Sequence, residues 1–426
     1  MKPLVLAKLG LICGITTFVL SACSSLPSKP PEQKSDLNQA TNNDNFAELE
    51  KKPDSLAPFL EKVSQDHSIP LKDLQLAFDD AKTIPSIKKL VMPPPVGFQK
   101  NWKVYRSRFV EPKRLAAGQQ FWKKHRTFIE ATASKTGVPA EVIVSIIGIE
   151  TIYGRQTGNF RVKDVLSTLA FSYPETTNKA SREQLFKDQL QELILMCWTE
   201  AGGKLPSKNS SQGVNSARFS TCLNQNSSYA GAIGLPQFMP SSIRSFAVDG
   251  DGDGHIDLKQ SPKDAIASVA NFMKKHGWQT GMPISFPVQA SAISEAKALA
   301  DGEPQLKYTV QELIEKGILT KQQGDLQSGG VAPQSKAFIV DLPYPDKDGS
   351  DQVQYFVGLN NFLTIVQYNR SYFYAQSVAE FAEALGYKNQ SVVPIESPAK
   401  TSSAAKIATD KSKPKKTTTK KKVKST

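Results

Sequence analysis

The chain has 426 residues and a formal net charge of +13, and 39% of its residues are hydrophobic. This length is enough for two or more domains with sizeable cores. Residues 400–426 contain ten lysines and one aspartate, so this tail carries +9 of the charge and the rest is nearly neutral. A nearly neutral body excludes a broad nucleic-acid-binding surface, and no nucleic-acid partner is expected.

The N-terminus has the pattern of an export signal. Two lysines precede an apolar run that is too short to span a membrane comfortably, and the run ends in Leu-Ser-Ala before Cys23. Residues 1–22 are therefore predicted to be a signal peptide. The ending resembles a bacterial lipoprotein signal, in which the cysteine becomes the acylated N-terminus; a plain signal peptide cut nearby is the alternative. Ser24 follows the cysteine, which by the same resemblance favours the periplasmic face of the outer membrane.

Helical patterns begin after a polar segment. Residues 23–55 are rich in Ser, Pro, Asn, Lys and Glu, which is typical of a flexible linker. Helical periodicity starts at Leu56, and a long helix is predicted around residues 116–135, with Gly137 after its end. Further helices are predicted at residues 165–170 and 184–199.

The apolar stretch 138–154 is predicted to form one core helix, with Pro139 at its first position, where the missing N–H costs little. Glu150 shares a helix face with three isoleucines that lie three, four and seven residues before it. A carboxyl on an apolar face loses hydration, which raises its pKa and allows it to act as a general acid near neutral pH. Alternatively, Glu150 points out of the core or pairs with Arg155, and the helix pattern alone leaves both interpretations open.

Two cysteines remain in the exported body once Cys13 is removed with the signal and Cys23 is lipidated. In an oxidising periplasm, Cys197 and Cys222 are a candidate disulfide, and two unpaired buried thiols are the alternative. The pair brackets most of a Gly/Ser/Asn-rich stretch, residues 202–227, which is predicted to be a loop that a disulfide would tether.

Small residues and a Gly/Pro-rich bend surround Gln237, Phe238 and Met239 in the stretch 229–242. Small residues let the backbone approach a ligand closely, and Gln can both donate and accept hydrogen bonds. Phe and Met could offer an apolar platform to a sugar ring. A tight contact between helices would need the same small residues, so the motif alone does not decide between binding and packing.

Carboxylates alternate with glycines in an Asp-rich loop that has the spacing and the sixth-position Gly of a calcium-binding loop. The twelfth position, where an EF-hand has Glu, holds Gln260, so a longer loop, residues 249–264, must be closed by the next carboxylate. The predicted ligands of a structural Ca²⁺ are Asp249, Asp251, Asp253, the backbone carbonyl of His255, and Asp264. A turn without metal is the alternative, although its carboxylates would repel one another.

The helical pattern fades in residues 282–356, which are predicted to form a small β-containing domain. Thr309 and Glu312 fit a capping box before a short helix. Residues 337–342 and 353–357 have the composition of strands, with Pro and Gly turns between them.

The helical pattern returns in residues 357–390, and a Lys-rich segment, residues 391–426, completes the chain. Thr, Ser, Ala and Lys dominate this tail, so it is predicted to be disordered. Anionic lipid headgroups or wall polymers are its candidate ligands, and a merely solvated tail is the alternative.

Six stretches carry a family resemblance, and they occur in the family's order. They are residues 105–112, 146–155, 168–174, 230–242, 249–257 and 367–374. Together they resemble the lytic murein transglycosylase B family, membrane-bound enzymes of peptidoglycan with a lysozyme-like core. The Asp-rich loop or the Glu150 helix alone would not be specific to that family.

The resemblance implies a mainly α fold of the α+β class. It has a helical N-terminal domain and a lysozyme-like core within residues 56–281, the small β-containing domain, and C-terminal helices that complete the core. The implied activity is cleavage of the MurNAc-β-1,4-GlcNAc bond of peptidoglycan without water, giving 1,6-anhydro-MurNAc ends in cell-wall turnover and remodelling. A muramidase that hydrolyses the same bond and a non-catalytic, calcium-stabilised wall-binding lipoprotein are the alternatives. No organic cofactor is expected, and other wall enzymes are candidate partners.

The resemblance also implies roles for single residues. Glu150 takes the position of the family's one catalytic acid, whereas ordinary glycoside hydrolysis uses two carboxyl groups. The positions that line the family's glycan groove are matched by Tyr105, Ser228, Gln237, Phe238, Met239, Tyr368, Asn369 and Tyr374. Arg182 is carried over only as the nearest match, because seven residues separate it from Pro174 where the family often has arginines directly. The Asp-rich loop resembles the family's calcium loop.

Overall fold

The computed structural model describes residue 53 and residues 55–95, 97–205 and 213–389. The predicted signal peptide, the predicted lipidation site Cys23, nearly all of the predicted linker and the Lys-rich tail lie outside the described residues. Within these ranges, no helix is both long enough and apolar enough to cross a membrane.

Helices make up most of the described structure. Those that precede the β-containing part are α1 (Leu56–His67), α2 (Leu71–Ala77), α3 (Pro85–Leu90), α4 (Trp102–Phe109), α5 (Pro112–Thr136), α6 (Ala140–Thr151), α7 (Val162–Phe171), α8 (Lys179–Glu200), α9 (Ser216–Leu223), α10 (Pro240–Phe246) and α11 (Pro262–Lys275). The later ones are α12 (Ile293–Leu299), α13 (Val310–Glu315), α14 (Asn360–Tyr368) and α15 (Tyr372–Ala384). Short 3₁₀ turns occur at Ala290–Ala292, Lys321–Gly324 and Leu326–Ser328.

The strands form two antiparallel sheets. They are β1 (Phe160–Arg161), β2 (Asn226–Ser227), β3 (Ser285–Pro287), β4 (Tyr308–Thr309), β5 (Lys336–Pro345) and β6 (Asp351–Gly358). β1 pairs with β2, and the other strands form a sheet in the order β3-β6-β5-β4. The long β5–β6 hairpin is paired from Phe338 opposite Gly358 to Pro345 opposite Asp351. Both predicted strands and the predicted capping box of Thr309 and Glu312 are confirmed.

Local capping explains several helix starts. The Glu111 side chain accepts hydrogen bonds from the N–H groups of Lys113 and Arg114. Pro112 begins α5, and its lack of an N–H costs little because the first N–H groups of a helix have no acceptor within the helix. Ser261 caps α11 by accepting from the N–H of Asp264, and Pro262 again takes the first position.

Three clusters of buried apolar side chains form the interior. The central cluster surrounds α6 and includes side chains from α5, α11, α14 and α15. The N-terminal cluster is built by α1 to α3 and α7 to α9. The sheet cluster lies beneath α12 and α13. β5 contributes to two of them, because alternate side chains of a strand point to opposite faces. Its Ala337 and Ile339 belong to the sheet cluster, whereas Phe338, Val340 and Leu342 belong to the central cluster.

Two predicted boundaries were wrong. The helix predicted over residues 138–154 is α6, which is shorter, because Pro139 caps it from outside and its last three predicted residues have left-handed backbone. The stretch predicted as a loop, residues 202–227, contains α9 and β2. Asn215 explains the helix, since its side chain accepts a hydrogen bond from the N–H of Arg218.

A disulfide joins α8 to α9. The Sγ atoms of Cys197 and Cys222 are 1.99 Å apart and their Cα atoms are 5.4 Å apart. Both cysteines belong to the N-terminal cluster, so the bond lies in its packed interior and ties the two helices together.

Candidate active site

α6 carries Glu150 to the edge of the central cluster. Ten of the twelve residues of α6 are buried, and the two others are Glu141 near its start and Glu150 near its end. Each buried isoleucine of the helix contributes roughly 1.5–3 kcal/mol by leaving water. Because α5, α11 and α15 all pack against α6, the core fixes the position of the Glu150 backbone.

The Glu150 carboxyl is surrounded by protein yet keeps part of its surface accessible. Its Oε1 accepts a hydrogen bond of 2.7 Å from the hydroxyl of Tyr374. Burial raises the pKa of Glu150 to about 7, while the Tyr374 hydrogen bond and the charge of Arg114 lower it. Glu150 is therefore protonated below neutral pH and accessible to a substrate, which are the two requirements of a general acid.

Three tyrosines from different helices lie close enough to Glu150 for its charge to act on their hydroxyls, and Tyr374 is the one that hydrogen-bonds to it. Burial, followed by the negative charge of Glu150, raises the pKa of Tyr374, of Tyr368 and of Tyr105. The rings of Tyr368 and Tyr374 lie almost parallel, 6.2 Å apart. All three hydroxyls stay uncharged at neutral pH, so they can donate hydrogen bonds without adding negative charge.

Aromatic rings support these tyrosines. Tyr105 packs against Phe109 and Phe373, with ring centres 4.9 Å and 5.4 Å away. Tyr368 packs against Phe272 at 4.8 Å and against Phe238 at 5.8 Å. The tyrosine hydroxyls are thus held by rigid ring contacts, which reduces the ordering that substrate binding requires.

The chain leaves α6 through an unusual turn. Ile152, Tyr153 and Gly154 have φ values of 49°, 58° and 89°, so three consecutive residues are left-handed. For the two residues with side chains this costs about 1–3 kcal/mol each. The Oγ1 of Thr151 accepts from the N–H of Gly154 at 3.0 Å and so stabilises the turn directly after Glu150.

The small-residue stretch 229–242 forms a tight loop. The backbones of Ile233 and Phe238 exchange two hydrogen bonds, of 2.8 Å and 3.1 Å. Gln237 closes the loop with a φ of 50°, and its Nε2 donates to the carbonyls of Gly234 and Thr157. Its side-chain oxygen makes no hydrogen bond to the described part of the chain, so the acceptor of Gln237 is available to a ligand.

Two hydrogen bonds attach this loop to the elements around Glu150. The hydroxyl of Thr151, the neighbour of Glu150 in α6, donates to the carbonyl of Leu235 at 3.0 Å. The hydroxyl of Tyr368 donates to the carbonyl of Pro236. The loop therefore lies beside the end of α6 that carries Glu150.

Ser228 organises the start of the same loop. Its Oγ accepts hydrogen bonds from the N–H groups of Ala230 and Ala232, at 3.3 Å and 3.1 Å. A hydroxyl that accepts in this way still carries its own hydrogen. Ser228 can therefore donate to a substrate while it holds the loop.

Four other predicted groove residues are less accessible or lie elsewhere. Phe238 and Met239 are each 3% exposed, so they support the loop from beneath and offer little surface to a sugar. Asn369 is 4% exposed, and its buried Oδ1 has no hydrogen-bond partner in the described residues. Arg182 donates to the hydroxyl of Tyr173, a residue of the N-terminal cluster, and no described contact links it to Glu150.

The Asp-rich loop brings three of its predicted metal ligands together. Asp249, Asp251 and Asp264 each offer a carboxylate oxygen, and these oxygens lie within 4.8 Å of one another. Oxygens that share a Ca²⁺ at 2.3–2.6 Å can be up to about 5 Å apart, so the donor set fits calcium. Asp253 is outside this group, and its Oδ1 accepts from the N–H of His255.

Backbone N–H groups also hold these carboxylates. Asp264 is 1% exposed, and its two oxygens accept from the N–H groups of Gly250 and Asp257 at 2.8 Å and 2.7 Å. Asp249 accepts from the N–H groups of Gly252 and Gly254, and the latter contact is the main reason why its pKa is lowered. Backbone hydrogen bonds thus orient the carboxylates of Asp249 and Asp264, which favours the binding of a hard cation.

One residue of the site escaped the sequence analysis. Arg114 of α5 is 8% exposed and contacts the backbone of α6 beside Glu150. In the sequence it is one of four basic residues within nine positions, residues 106–114 (with Lys113, Arg108 and Arg106), and nothing distinguishes it from the other three, none of which is buried.

These features define a class of protein. A mainly helical fold presents a partly accessible carboxylic acid with a pKa of about 7, next to neutral tyrosine hydroxyls and a loop with free acceptor and donor groups. No carboxylate of the described residues perturbs the pKa of Glu150. These are the features that general acid and base catalysis by a carboxyl group requires.

Comparisons with known proteins give the particular family. The family model described as "Transglycosylase SLT domain" matches residues 51–383. The membrane-bound lytic murein transglycosylase B of Escherichia coli (strain K12) is 33% identical over 387 residues, which are 86% of this chain and 94% of that protein.

Solved structures agree with this match. The soluble lytic transglycosylase SltB1 from Pseudomonas aeruginosa is 34% identical, with a TM-score of 0.62 over 78% of this chain and 98% of that one. The lytic transglycosylase Slt35 of Escherichia coli, solved in complex with calcium, is 32% identical, with a TM-score of 0.62 over 78% of this chain and 93% of that one. This chain belongs to the transglycosylase SLT domain family and is a lytic transglycosylase. Its predicted fold class is confirmed.

Proposed function

We propose that this chain cleaves the MurNAc-β-1,4-GlcNAc bond of peptidoglycan without water, and that Glu150 is the only catalytic carboxyl group. The observation that carries the proposal is the state of Glu150, whose pKa is about 7 and which no second carboxylate accompanies among the described residues. Hydrolysis by the usual route needs a second carboxyl, either as nucleophile or to activate water. A site with one carboxyl has to use that group twice.

The first step uses the protonated form. Glu150 donates its proton to the glycosidic oxygen, the bond from that oxygen to C1 of MurNAc breaks, and positive charge develops at C1. The carboxyl becomes a carboxylate that still accepts the hydrogen bond of Tyr374, 2.7 Å away. General acid catalysis of this kind contributes about 10²–10⁴-fold.

The second step uses the ionised form. The Glu150 carboxylate takes the proton of the C6 hydroxyl of the same MurNAc, whose oxygen bonds to C1 and closes the 1,6-anhydro ring. The carboxyl is protonated again at the end, so the cycle consumes no water. A pKa of about 7 favours this double role, because neither form of the group is strongly disfavoured at neutral pH.

Other residues are proposed to orient the glycan. The free side-chain oxygen of Gln237 and the hydroxyl of Ser228 can bind sugar hydroxyl or acetamide groups from the loop. Tyr105, Tyr368 and Tyr374 supply neutral hydroxyls around the carboxyl. The unpartnered Oδ1 of Asn369 can accept a hydrogen bond from the glycan once a ligand or a small shift of the chain exposes it. Phe238, Met239 and Arg182 are proposed only to support the residues that contact the glycan.

Digestion of purified peptidoglycan tests this function. The wild-type chain should release muropeptides whose masses show 1,6-anhydro-MurNAc ends, and Glu150→Gln should lower the rate by at least about 10²-fold. Glu141→Gln is the matched control, because Glu141 lies in the same helix and is also not buried. Reducing MurNAc ends would support the muramidase alternative. Release of no fragments by the wild type would support the non-catalytic alternative.

A structural Ca²⁺ is proposed in the Asp-rich loop. Asp249, Asp251 and Asp264 would hold the ion with their carboxylates, and Asp253 and the carbonyl of His255 are the remaining predicted ligands. The ion would neutralise carboxylates that otherwise repel one another. The structure of Slt35 with calcium is consistent with such a site in this family.

Attachment to the outer membrane through Cys23 is proposed from the sequence alone. The Escherichia coli relative is named membrane-bound, which supports membrane association in general. Replacement of Cys23 by Ala should move the chain from the membrane fraction to the soluble fraction, and an unchanged distribution would contradict lipid anchoring.

A further inference from the structure

Arg114 is a buried cation without an adjacent anion. Its side chain is 8% exposed, and among the described residues its Nη1 and Nη2 donate to backbone carbonyls while its Nε has no hydrogen-bond partner. Among the described residues, the other buried charged side chains are satisfied locally. Lys163 and Asp164 pair with Asp80 and Arg161, and Asp264 accepts from backbone N–H groups. An unpaired buried charge is unfavourable unless neighbouring dipoles or a more distant charge compensate it.

The compensation comes from the end of α6. One nitrogen of the Arg114 guanidinium, Nη1, donates to the carbonyl of Gly148 at 2.5 Å and to that of Ile149 at 3.3 Å. These are the two residues directly before Glu150. A helix C-terminus has carbonyls without helical partners and a negative dipole end, so a cation there is stabilised. Nη2 donates to the carbonyl of Arg108 at 3.2 Å, which connects the same group to the last turn of α4.

The next turn of α5 contacts the residue that leaves α6. Gly118 lies four residues after Arg114 on the same face, and a Cβ at Gly118 would come within 2.4 Å of the hydroxyl oxygen of Tyr153. A Cβ at Gly148 would meet the same oxygen at 2.4 Å. The Tyr153 side chain therefore occupies a notch between the two helices, and its ring stacks on Phe121 at 4.9 Å. α5 thus supports the backbone on both sides of Glu150.

Arg114 is the positively charged group that can balance the ionised form of Glu150. Tyr374, Tyr368 and Tyr105 face it from α15, α14 and α4, and burial keeps all three neutral. The cation that lowers its pKa is Arg114. Burial lowers the pKa of Arg114, whereas the charges of Glu111, Tyr153 and Glu150 raise it. The Glu111 carboxylate itself accepts from the first N–H groups of α5.

We infer that Arg114 is a positioning residue for Glu150, which holds the last turn of α6 in place and supplies the counter-charge when Glu150 has given up its proton. The inference rests on the proposed role of Glu150. Without Arg114, the ionised carboxyl is less stable, so Glu150 becomes a weaker acid. The proton then leaves less readily in the first step, and the activity persists to higher pH because the carboxyl stays protonated longer.

The test measures initial rates of anhydro-muropeptide release at saturating peptidoglycan from pH 4 to pH 10. Arg114→Met should lower the maximal rate about 10-fold and move the alkaline limb of the profile upward by about one pH unit. Arg114→Lys keeps the charge and should return the limb to its wild-type position. Arg114→Gln keeps a donor for the Gly148 carbonyl but lacks the charge, and it should show the shifted limb.

Lys163→Met is the matched control, because Lys163 is 1% exposed and ion-paired with Asp80 in the N-terminal cluster. It should lower the melting temperature without moving the limb. If Arg114→Met and Arg114→Gln lose stability while the limb stays in place, Arg114 is merely structural and the inference is overturned. The same conclusion follows if no variant without the charge folds at any pH. An active Glu150→Gln enzyme, in contrast, would contradict the proposed function itself.

Discussion

Replacing Glu150 by Gln should stabilise the protein in a pH-dependent way, which tests the state of this carboxyl without any substrate. Burial raises the pKa of Glu150 from 4.5 to about 7. The folded protein therefore holds a proton that the unfolded chain releases between those values. A group with a raised pKa contributes stability that is present below its unfolded pKa and is lost as the pH rises through its folded pKa.

The magnitude follows from the size of the shift. One pKa unit corresponds to about 1.4 kcal/mol, so a rise from 4.5 to about 7 corresponds to roughly 3 kcal/mol that the wild type loses between pH 4 and pH 8. Gln cannot ionise, so Glu150→Gln does not lose this contribution. The difference in unfolding free energy between variant and wild type should grow by roughly 3 kcal/mol in favour of the variant over that range.

Urea unfolding of both proteins at several pH values measures this difference. The contributions of the other titrating groups cancel in it, because the two chains share those groups. Glu141→Gln serves as the control, because it makes the same substitution in the same helix at the other residue of α6 that is not buried. A difference for Glu150→Gln that is the same at pH 4 and pH 8 would show that the carboxyl is hydrated, and the general-acid argument would lose its basis.

The remaining predictions concern neighbouring features. Tyr374→Phe removes a hydrogen bond to Glu150 that contributes about 1.5–3 kcal/mol when the acceptor is charged. The alkaline limb of the activity profile should therefore move up by about one to two pH units. The control Tyr372→Phe removes a buried hydroxyl without a partner among the described residues, and it should leave the limb unmoved. Excess chelator should lower the melting temperature of the wild type but not of Asp264→Asn, and an unchanged wild-type value would contradict a bound ion. Gly148→Ala should cost about 1–3 kcal/mol in unfolding free energy, because its methyl group would overlap the Tyr153 hydroxyl.

The sequence predicted those parts of the site that depend on local pattern. The isoleucines of α6 place Glu150 on a buried face, and the alternation of carboxylates and glycines predicts the Asp-rich loop, because both signals repeat at the spacing of the structure they form. The hydrogen bond between Glu150 and Tyr374 joins residues 224 positions apart, and no periodicity reports such a contact. The family resemblance, not the helix pattern, brought Tyr374 into consideration.

The left-handed turn after α6 could not be predicted for a different reason. Ile152 is β-branched and Tyr153 is bulky, so local preference argues against left-handed backbone at both positions. Tertiary packing overrides that preference, because the Tyr153 side chain fits a notch that exists only where Gly118 and Gly148 face each other across two helices. The glycines are visible in the sequence, but their juxtaposition is a property of the fold.

The packing around α6 also sets the balance between the protonated and the ionised form of Glu150. An acid that must also act as a base needs both of its forms to be accessible at one pH. Burial by α6 and its neighbours favours the protonated form of Glu150, whereas the hydrogen bond of Tyr374 and the charge of Arg114 favour the ionised form, and the result is a pKa of about 7. Loss of the apolar surroundings would leave Glu150 an ordinary carboxylate with no proton to give. Loss of Tyr374 or Arg114 would leave an acid that gives up its proton less readily, so the proposed double role of Glu150 depends on the opposition of these effects and on no one of them alone.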